Sequence, residues 1–236
     1  MVPFWAPRFS PQYYWAHVGE AEVQQQLRAA FARWGQPQSI RVDNGKPWGS
    51  WNDLPPALAL WLIGLGIAVE WIPPRQPQHN GVVERSQGTG KRWAEPQSCE
   101  SVAQLQQRVD EDDTLQREHY PYRHGRSRME VFPELAHSGR HYQQSQEQLH
   151  WDVQRVLDHL SLYRVSRRVD QSGKVSVYNR NHYVGTGNSG RTVYLTVDPQ
   201  RREWLYLAED GRQLRVMAAD ELTAERICTL NLNGKK

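Results

Sequence analysis

An α/β domain followed by a small all-β barrel is the fold class that this 236-residue sequence predicts, on three observations. Between residues 21 and 120, stretches with helical spacing alternate with short β-branched runs, in the order helix, strand, helix, strand, helix, helix. That alternation is the pattern of an α/β sheet. Residues 121–148 then lose any sustained period and become rich in Arg, His, Gln, Gly and Pro. From residue 161 onward short alternating stretches recur every 8–12 residues, separated by Asp-containing turns, which reads as a small barrel. The expected organisation is an α/β part over 1–120, a linker over 121–149 and a β-barrel domain over 150–236.

Each element has its own local reason. "AEVQQQLRAAFARWG" (21–35) places Val23, Leu27, Ala30, Phe31 and Trp34 at helical spacing, and Gly35 with Pro37 stops the helix. "QSIRVD" (38–43) is a short strand. "LPPALALWLIGLG" (54–66) is apolar nearly all round and predicts a buried helix with Pro55 and Pro56 in its first turn. "IAVEWIP" (67–73) is a strand ended by prolines. "NGVVERSQGTGKRWAE" (80–95) reads as a helix, weakened at Gly88 and Gly90 by ~1 kcal/mol each. Val102, Leu105 and Val109 form the stripe of a further helix over 101–120. A short helix near 152–160 precedes strands at "SLYRVSRRV", "KVSVY", "HYV", "RTVYLTV", "EWLYLA" and "RQLRVM". Turns are expected at Asp170–Gly173, Asp198-Pro199 and Asp210-Gly211.

Composition narrows the class of partner. No apolar run reaches the ~18–20 residues of a membrane span, and the N-terminus lacks the basic start and apolar core of a signal peptide. The two cysteines, Cys99 and Cys228, lie far apart and suit a reducing, cytoplasmic setting rather than a disulfide scaffold. The nine histidines are scattered, with no Cys-x-x-Cys partner, which reads as surface and core roles. Residues 1–120 hold 11 Lys/Arg and 13 Asp/Glu, whereas 121–236 hold 18 and 13. Within 161–191, Arg164, Arg167, Arg168, Lys174, Arg180 and Arg191 stand against the single acid Asp170, the composition of a polyanion-binding face. On those residues a solvated strand face with ordinary charge reads equally well.

The stretch "RVDNGKPWGS" (41–50) raises the question of catalysis. Asp43 ends a strand and is followed by the tight turn Asn44-Gly45, so its carboxylate is expected on rigid backbone at a sheet edge, where α/β folds place working groups. Glu84 follows 41 positions later, on a helix whose Glu84, Gln87 and Lys91 share one face. A strand-end acid with a helical acid opposite supplies hard oxygen ligands for Mg²⁺ in phosphoryl transfer. Asn80 at the start of that helix, with Lys91 and Arg92 farther along it, are candidate DNA contacts. Taken singly, Asp-Asn-Gly is the composition of an ordinary turn and a helical Glu that of a surface residue.

The combination is more specific. "LRAAFARWGQPQSIRVDNG", "GLGIAVEWIPPRQPQHNGVVER", "VFPELAHSGRHY" and "GKVSVYNRNHYVG" together resemble the integrase-core (DDE) transposases of bacterial insertion sequences, over almost the whole chain. The resemblance implies a partial RNase H-like integrase core followed by the family's small β-barrel. It assigns Asp43 and Glu84 as catalytic and metal-binding carboxylates, with Mg²⁺ or Mn²⁺ as cofactor. It implies DNA as partner, with self-association or a full-length transposase oligomer beside it, in DNA integration and transposition. Asn80, Lys91, Arg92, Arg167, Arg168, Lys174, Arg180 and Arg191 become the candidate DNA contacts. One departure stands out: the family uses three carboxylates, and the acids upstream of Asp43 are Glu20 and Glu22, at a helix start rather than on a first strand. The expectation is therefore a core truncated at its N-terminus, impaired in strand transfer. The alternative is a non-catalytic DNA-binding or transposase-regulating fragment.

Overall fold

A computed structural model describes residues 19–49, 53–73 and 81–232, with the side chains of 81–87 and 102 excepted. The chain is a mixture of helix and sheet and divides into two compact units, each assembled from two separate stretches. One comprises 1–37 and 72–144; the other comprises 38–71 and 145–236.

The first unit is helical among its described residues. Helix α1 (Glu20–Trp34) buries Val23, Leu27, Ala30 and Phe31, the stripe its spacing dictates. It stops at Gly35, whose φ of 76° is open to glycine and whose amide donates to the Phe31 carbonyl at 2.9 Å. A Cβ there would also overlap Ser138 Oγ, because residues 138–140 clasp this helix end. Ser138 N–H donates to Trp34 O, Gln36 N–H to Arg140 O, and the Arg140 guanidinium to Pro37 O. Helix α3 (Gly81–Ala94) and helix α4 (Val102–Thr114) meet through Ala94, Leu105 and Val109. Ser101 caps α4 by accepting from Gln104 N–H at 3.1 Å. A π-helical turn over Leu115–His119 ends the run, and the short helix α5 (Arg128–Val131) follows behind a reciprocal Ser127/Glu130 capping box.

The second unit carries the sheets. Strands β1 (Ser39–Val42) and β2 (Ala68–Trp71) pair in parallel, Ser39 opposite Ala68 and Val42 opposite Trp71. The connection between them contains helix α2 (Ala57–Gly64), all eight residues of which are buried. The helix begins after Pro56 rather than at Pro55. A residue preceding proline is barred from helical backbone, and Pro56 itself is extended, with φ −68° and ψ 167°. Helix α7 (Val153–Leu160), capped by Asp152, buries Val156, Leu157 and Leu160 and packs on α2. Helices α6 (Glu147–His150) and α8 (Ala224–Cys228) complete this cover. Close approach is enforced at Gly64, where a Cβ would collide with the Trp151 indole.

Six further strands follow. β3 (Val165–Arg168), β6 (Thr192–Asp198), β7 (Glu203–Leu207) and β8 (Gln213–Ala218) form one antiparallel sheet in the order β3-β6-β7-β8. β4 (Lys174–Val177) and β5 (Arg180–Tyr183) form a separate hairpin. The expected period-2 alternation is present: Val193, Leu195 and Val197 on β6, and Trp204 and Tyr206 on β7, point inward and are buried. The Asp turns work by side-chain acceptance. Asp170 Oδ1 takes Lys174 N–H at 2.8 Å, and Asp198 Oδ1 takes Gln200 N–H at 2.9 Å. Among the described residues no helix is long and apolar enough to cross a membrane.

Candidate functional site

Asp43 follows β1 directly, at the carboxyl end of a strand in a parallel pair. Its side chain is exposed, and Oδ1 accepts from Gly45 N–H at 3.2 Å, an Asx turn that fixes the carboxylate against its own loop. The loop is fastened at two further places. Trp48 N–H donates to Gly45 O at 2.8 Å, and the Trp71 indole at the end of β2 donates to Trp48 O at 3.0 Å. The carboxylate therefore sits on backbone held at both strands of the pair. With one oxygen engaged to a backbone amide, Asp43 is a hard donor of the kind a divalent cation takes.

Glu84 lies within α3 as expected, but its side chain falls outside the described residues, as does Asn80 altogether. Lys91 and Arg92 occupy the last turn of α3 and are exposed, where positive charge complements the helix C-terminus. Among the described residues no three His, Cys, Asp or Glu side chains gather into a group that could hold a metal. Glu20 and Glu22 stand in the first turn of α1, and burial pushes the Glu20 carboxyl up from its ordinary value.

The basic residues of the β region do not form one uniform face. Arg167 turns toward Asp53, Nη2 to Oδ1 at 2.5 Å, and only about a quarter of its side chain is exposed. Arg180 reaches the fully buried Glu221 at 3.7 Å. That acid also accepts the Trp204 indole N–H at 2.7 Å. Among the described residues its other oxygen, Oε2, has no hydrogen-bond partner: at 3.7 Å the guanidinium faces the carboxylate without bonding to it. Arg168 and Arg191 are exposed, while Lys174 is half-buried. Arg164 stacks over the Tyr194 ring at 4.5 Å.

Around Glu221 the strands bury a titratable cluster. The Tyr206 hydroxyl and His182 Nδ1 share a short hydrogen bond. Burial raises the Tyr206 pKa, with the Glu221 charge adding to the shift, so the hydroxyl keeps its proton and donates. Burial lowers the pKa of His182; Arg180 pushes the same way and Glu221 opposes. Tyr178 is shifted well upward by burial, then by Glu221 and Asp53, and its hydroxyl donates to Pro55 O at 2.9 Å. It does so from left-handed backbone at φ 47°, costly for a bulky side chain, with Asn179 at 59° completing the β4–β5 turn. Asp53–Arg167 and Pro55–Tyr178 thus fasten the segment before α2 to the β strands.

Periodicity alone passed over a second surface. Residues 120–128, "YPYRHGRSR", lie in the stretch expected to be a linker from residue 121 on, yet they form a tight hairpin-like turn. Tyr122 N–H donates to Arg126 O at 2.8 Å, and Arg126 N–H to Arg123 O at 3.0 Å. The central residues His124 and Gly125 have φ of 53° and 74°. The signal was local rather than periodic: a Gly between basic residues, with tyrosines on one side. No protein-family model matches the chain.

Proposed function

We propose that this chain is an integrase-core transposase-type protein that acts on DNA, with Asp43 and Glu84 as two of the carboxylates that hold Mg²⁺ or Mn²⁺. In this reading β1, α2, β2 and α3 correspond to part of an RNase H-like core, and β3–β8 to the family's small β-barrel. One observation carries it: an exposed carboxylate, Asp43, stands at the carboxyl end of a parallel strand on a loop fastened to both strands of the pair. The sequence motif that contains it continues into Gly-Val-Val-Glu-Arg, the start of α3. When bound, the metal supplies charge neutralisation at a reacting phosphate. Two carboxylates hold one cation. Clamping both the attacking and leaving oxygens takes a bridged pair and a third carboxylate.

The test therefore reads cation and DNA binding. Purified full chain is titrated with Mn²⁺ and followed by thermal shift, and duplex DNA affinity is measured with and without Mn²⁺. The expected result is stabilisation by Mn²⁺ that is lost in both Asp43→Asn and Glu84→Gln. A response to Mn²⁺ unchanged in both variants refutes the assignment of these carboxylates. The second reading, a non-catalytic DNA-binding protein, is favoured by the exposure of Arg168 and Arg191. It is distinguished by duplex affinity indifferent to Mn²⁺ and to both substitutions.

A further inference from the structure

We propose that the Tyr120–Arg128 turn and the end of α3 form a binding surface for single-stranded DNA, with Trp93 and Tyr120 stacking an unpaired base and Arg92, Arg123 and Arg126 meeting the flanking phosphates. The proposal rests on the reading of the chain as a DNA-acting protein. It adds a strand form and a site that the carboxylate motif does not specify.

The aromatic part is exposed and held in place. Trp93 is 38% exposed and Tyr120 is 47% exposed, and their rings meet edge to face with centroids 5.3 Å apart. An edge-to-face pair covers one of the four ring faces, where two stacked rings would cover two. Large rings this open, one at the end of α3 and one on the turn, serve poorly as core, and exposed aromatic faces beside cations are what sequence-tolerant single-strand binding uses. Tyr122 has a different task. Its ring carries Arg128 at 5.2 Å and Arg123 at 5.9 Å and lies against Phe132. Its faces are taken, and it acts as a rack that orients the two guanidinium groups.

The surface is also pre-organised. Tyr120 N–H closes the preceding π-helical turn on Leu115 O at 2.7 Å. The His124-Gly125 reversal has both φ values positive, so the turn is a tight primed one. Ser127, behind it, is buried within the capping box, and Arg128 donates to Gln116 O at 2.8 Å. Binding therefore orders little backbone, which keeps the entropic cost low.

Charge selects the partner. Residues 119–128 contain Arg123, Arg126 and Arg128 and no acid, and Lys91 and Arg92 adjoin Trp93 on α3. Of the nearby acids, Glu95 faces Arg108 at 3.6 Å, and Glu130 is held low in pKa by the Ser127 backbone and hydroxyl within the cap, with Arg126, which donates to the Glu130 carbonyl at 2.5 Å, adding to the shift. A duplex hides its base faces between neighbours, so its phosphates could meet these arginines but its bases could not reach Trp93 and Tyr120. An unpaired strand offers both.

The experiment uses the full chain and fluorescence anisotropy at low salt. Three labelled probes are compared: an oligothymidylate, the same strand with abasic positions in place of bases, and a duplex of equal length. The oligothymidylate is expected to bind more tightly than the abasic strand. Tyr120→Ala is expected to weaken oligothymidylate binding about five- to hundredfold, the range for losing one stacked base. Tyr120→Trp restores it, which separates stacking from a folding defect. Arg123→Ala should lower the log–log salt slope on the single strand by about 0.7. Equal binding of the abasic and thymidine strands overturns the proposal, as does Tyr120→Ala binding like the parent chain. Absence of single-strand binding in the parent chain, with duplex affinity and the Mn²⁺ response present, overturns this site and leaves the DNA-acting reading standing. Failure to bind any probe overturns both.

Discussion

Two basic regions of this chain have similar composition and opposite construction. In the β region Arg167 and Arg180 are directed at acids, Asp53 and the buried Glu221. In the Tyr120–Arg128 turn Arg123 and Arg128 are laid over an aromatic ring, with no acid between 119 and 128. Counting Lys and Arg ranks the β region first, six cations against one acid over 161–191. Pairing reverses part of that ranking, because a guanidinium committed to a carboxylate has a structural task and gives up less on meeting a phosphate. Availability of charge, not its count, is what separates a binding face from a fastened one.

The comparison breaks most visibly at Glu221. Glu221→Ala should destabilise the chain by about 2–4 kcal/mol, since the Trp204 indole loses its buried acceptor and Arg180 its counter-charge. Chemical denaturation with the Trp fluorescence readout measures it. A loss below about 0.5 kcal/mol would mean that Arg180 is a surface cation after all. The matching change in the turn, Arg123→Ala, should leave stability within about 0.5 kcal/mol.

A smaller effect comes from pH. His182 has a folded pKa below its ordinary value, so it stays neutral in the fold and accepts from Tyr206 at Nδ1. The unfolded chain takes up the proton first as pH falls through about 6.5, and stability drops from there down to the lower folded pKa. The groups facing it are Glu221, Arg180 and Tyr206. Thermal melts between pH 7.5 and 5 should show a declining midpoint, with a shallower decline in His182→Gln. His159, also lowered by burial, adds a second contribution of the same sign that persists in that variant. An unchanged slope in His182→Gln would remove His182 as the source.

The smallest effect concerns the exposed cations. The double change Arg168→Ala with Arg191→Ala should reduce the duplex log–log salt slope by up to about 1.8, at roughly 0.9 per phosphate, with little change in stability. Arg167→Ala should do the reverse, costing stability through Asp53 and leaving the slope alone. If Arg167→Ala lowers the slope as much as the exposed pair does, the distinction between fastened and available cations fails.

Much of the fold was legible because its signals are local. The apolar run at 57–64 implied a buried helix, and the alternation at 192–198 implied a half-buried strand; both are present. Helix α8 was not anticipated: at five residues it has no period to detect, although Thr223 does cap it by accepting from Arg226 N–H. Asp43 was legible as a strand-end acid because strand, turn and acid are neighbours in the chain. The commitment of Arg167 was not, because Asp53 lies 114 positions away. Nor does any pattern in 38–71 signal that it packs with the C-terminal residues. Such pairings are set by tertiary contact, and a window of ten or fifteen residues does not contain them.

That interleaving has a consequence for synthesis. Helix α2 is apolar on all sides, and the helices that cover it, α7 and α8, come at Val153–Leu160 and Ala224–Cys228. The ribosome releases α2 roughly ninety residues before α7 is made. At about 5–20 residues per second, the nascent chain carries that uncovered helix for roughly 5–20 seconds, and longer before α8 emerges. The cell must shelter a greasy segment through that interval, so the yield of properly folded chain should track translation speed and holdase supply as closely as it tracks the stability of the finished protein.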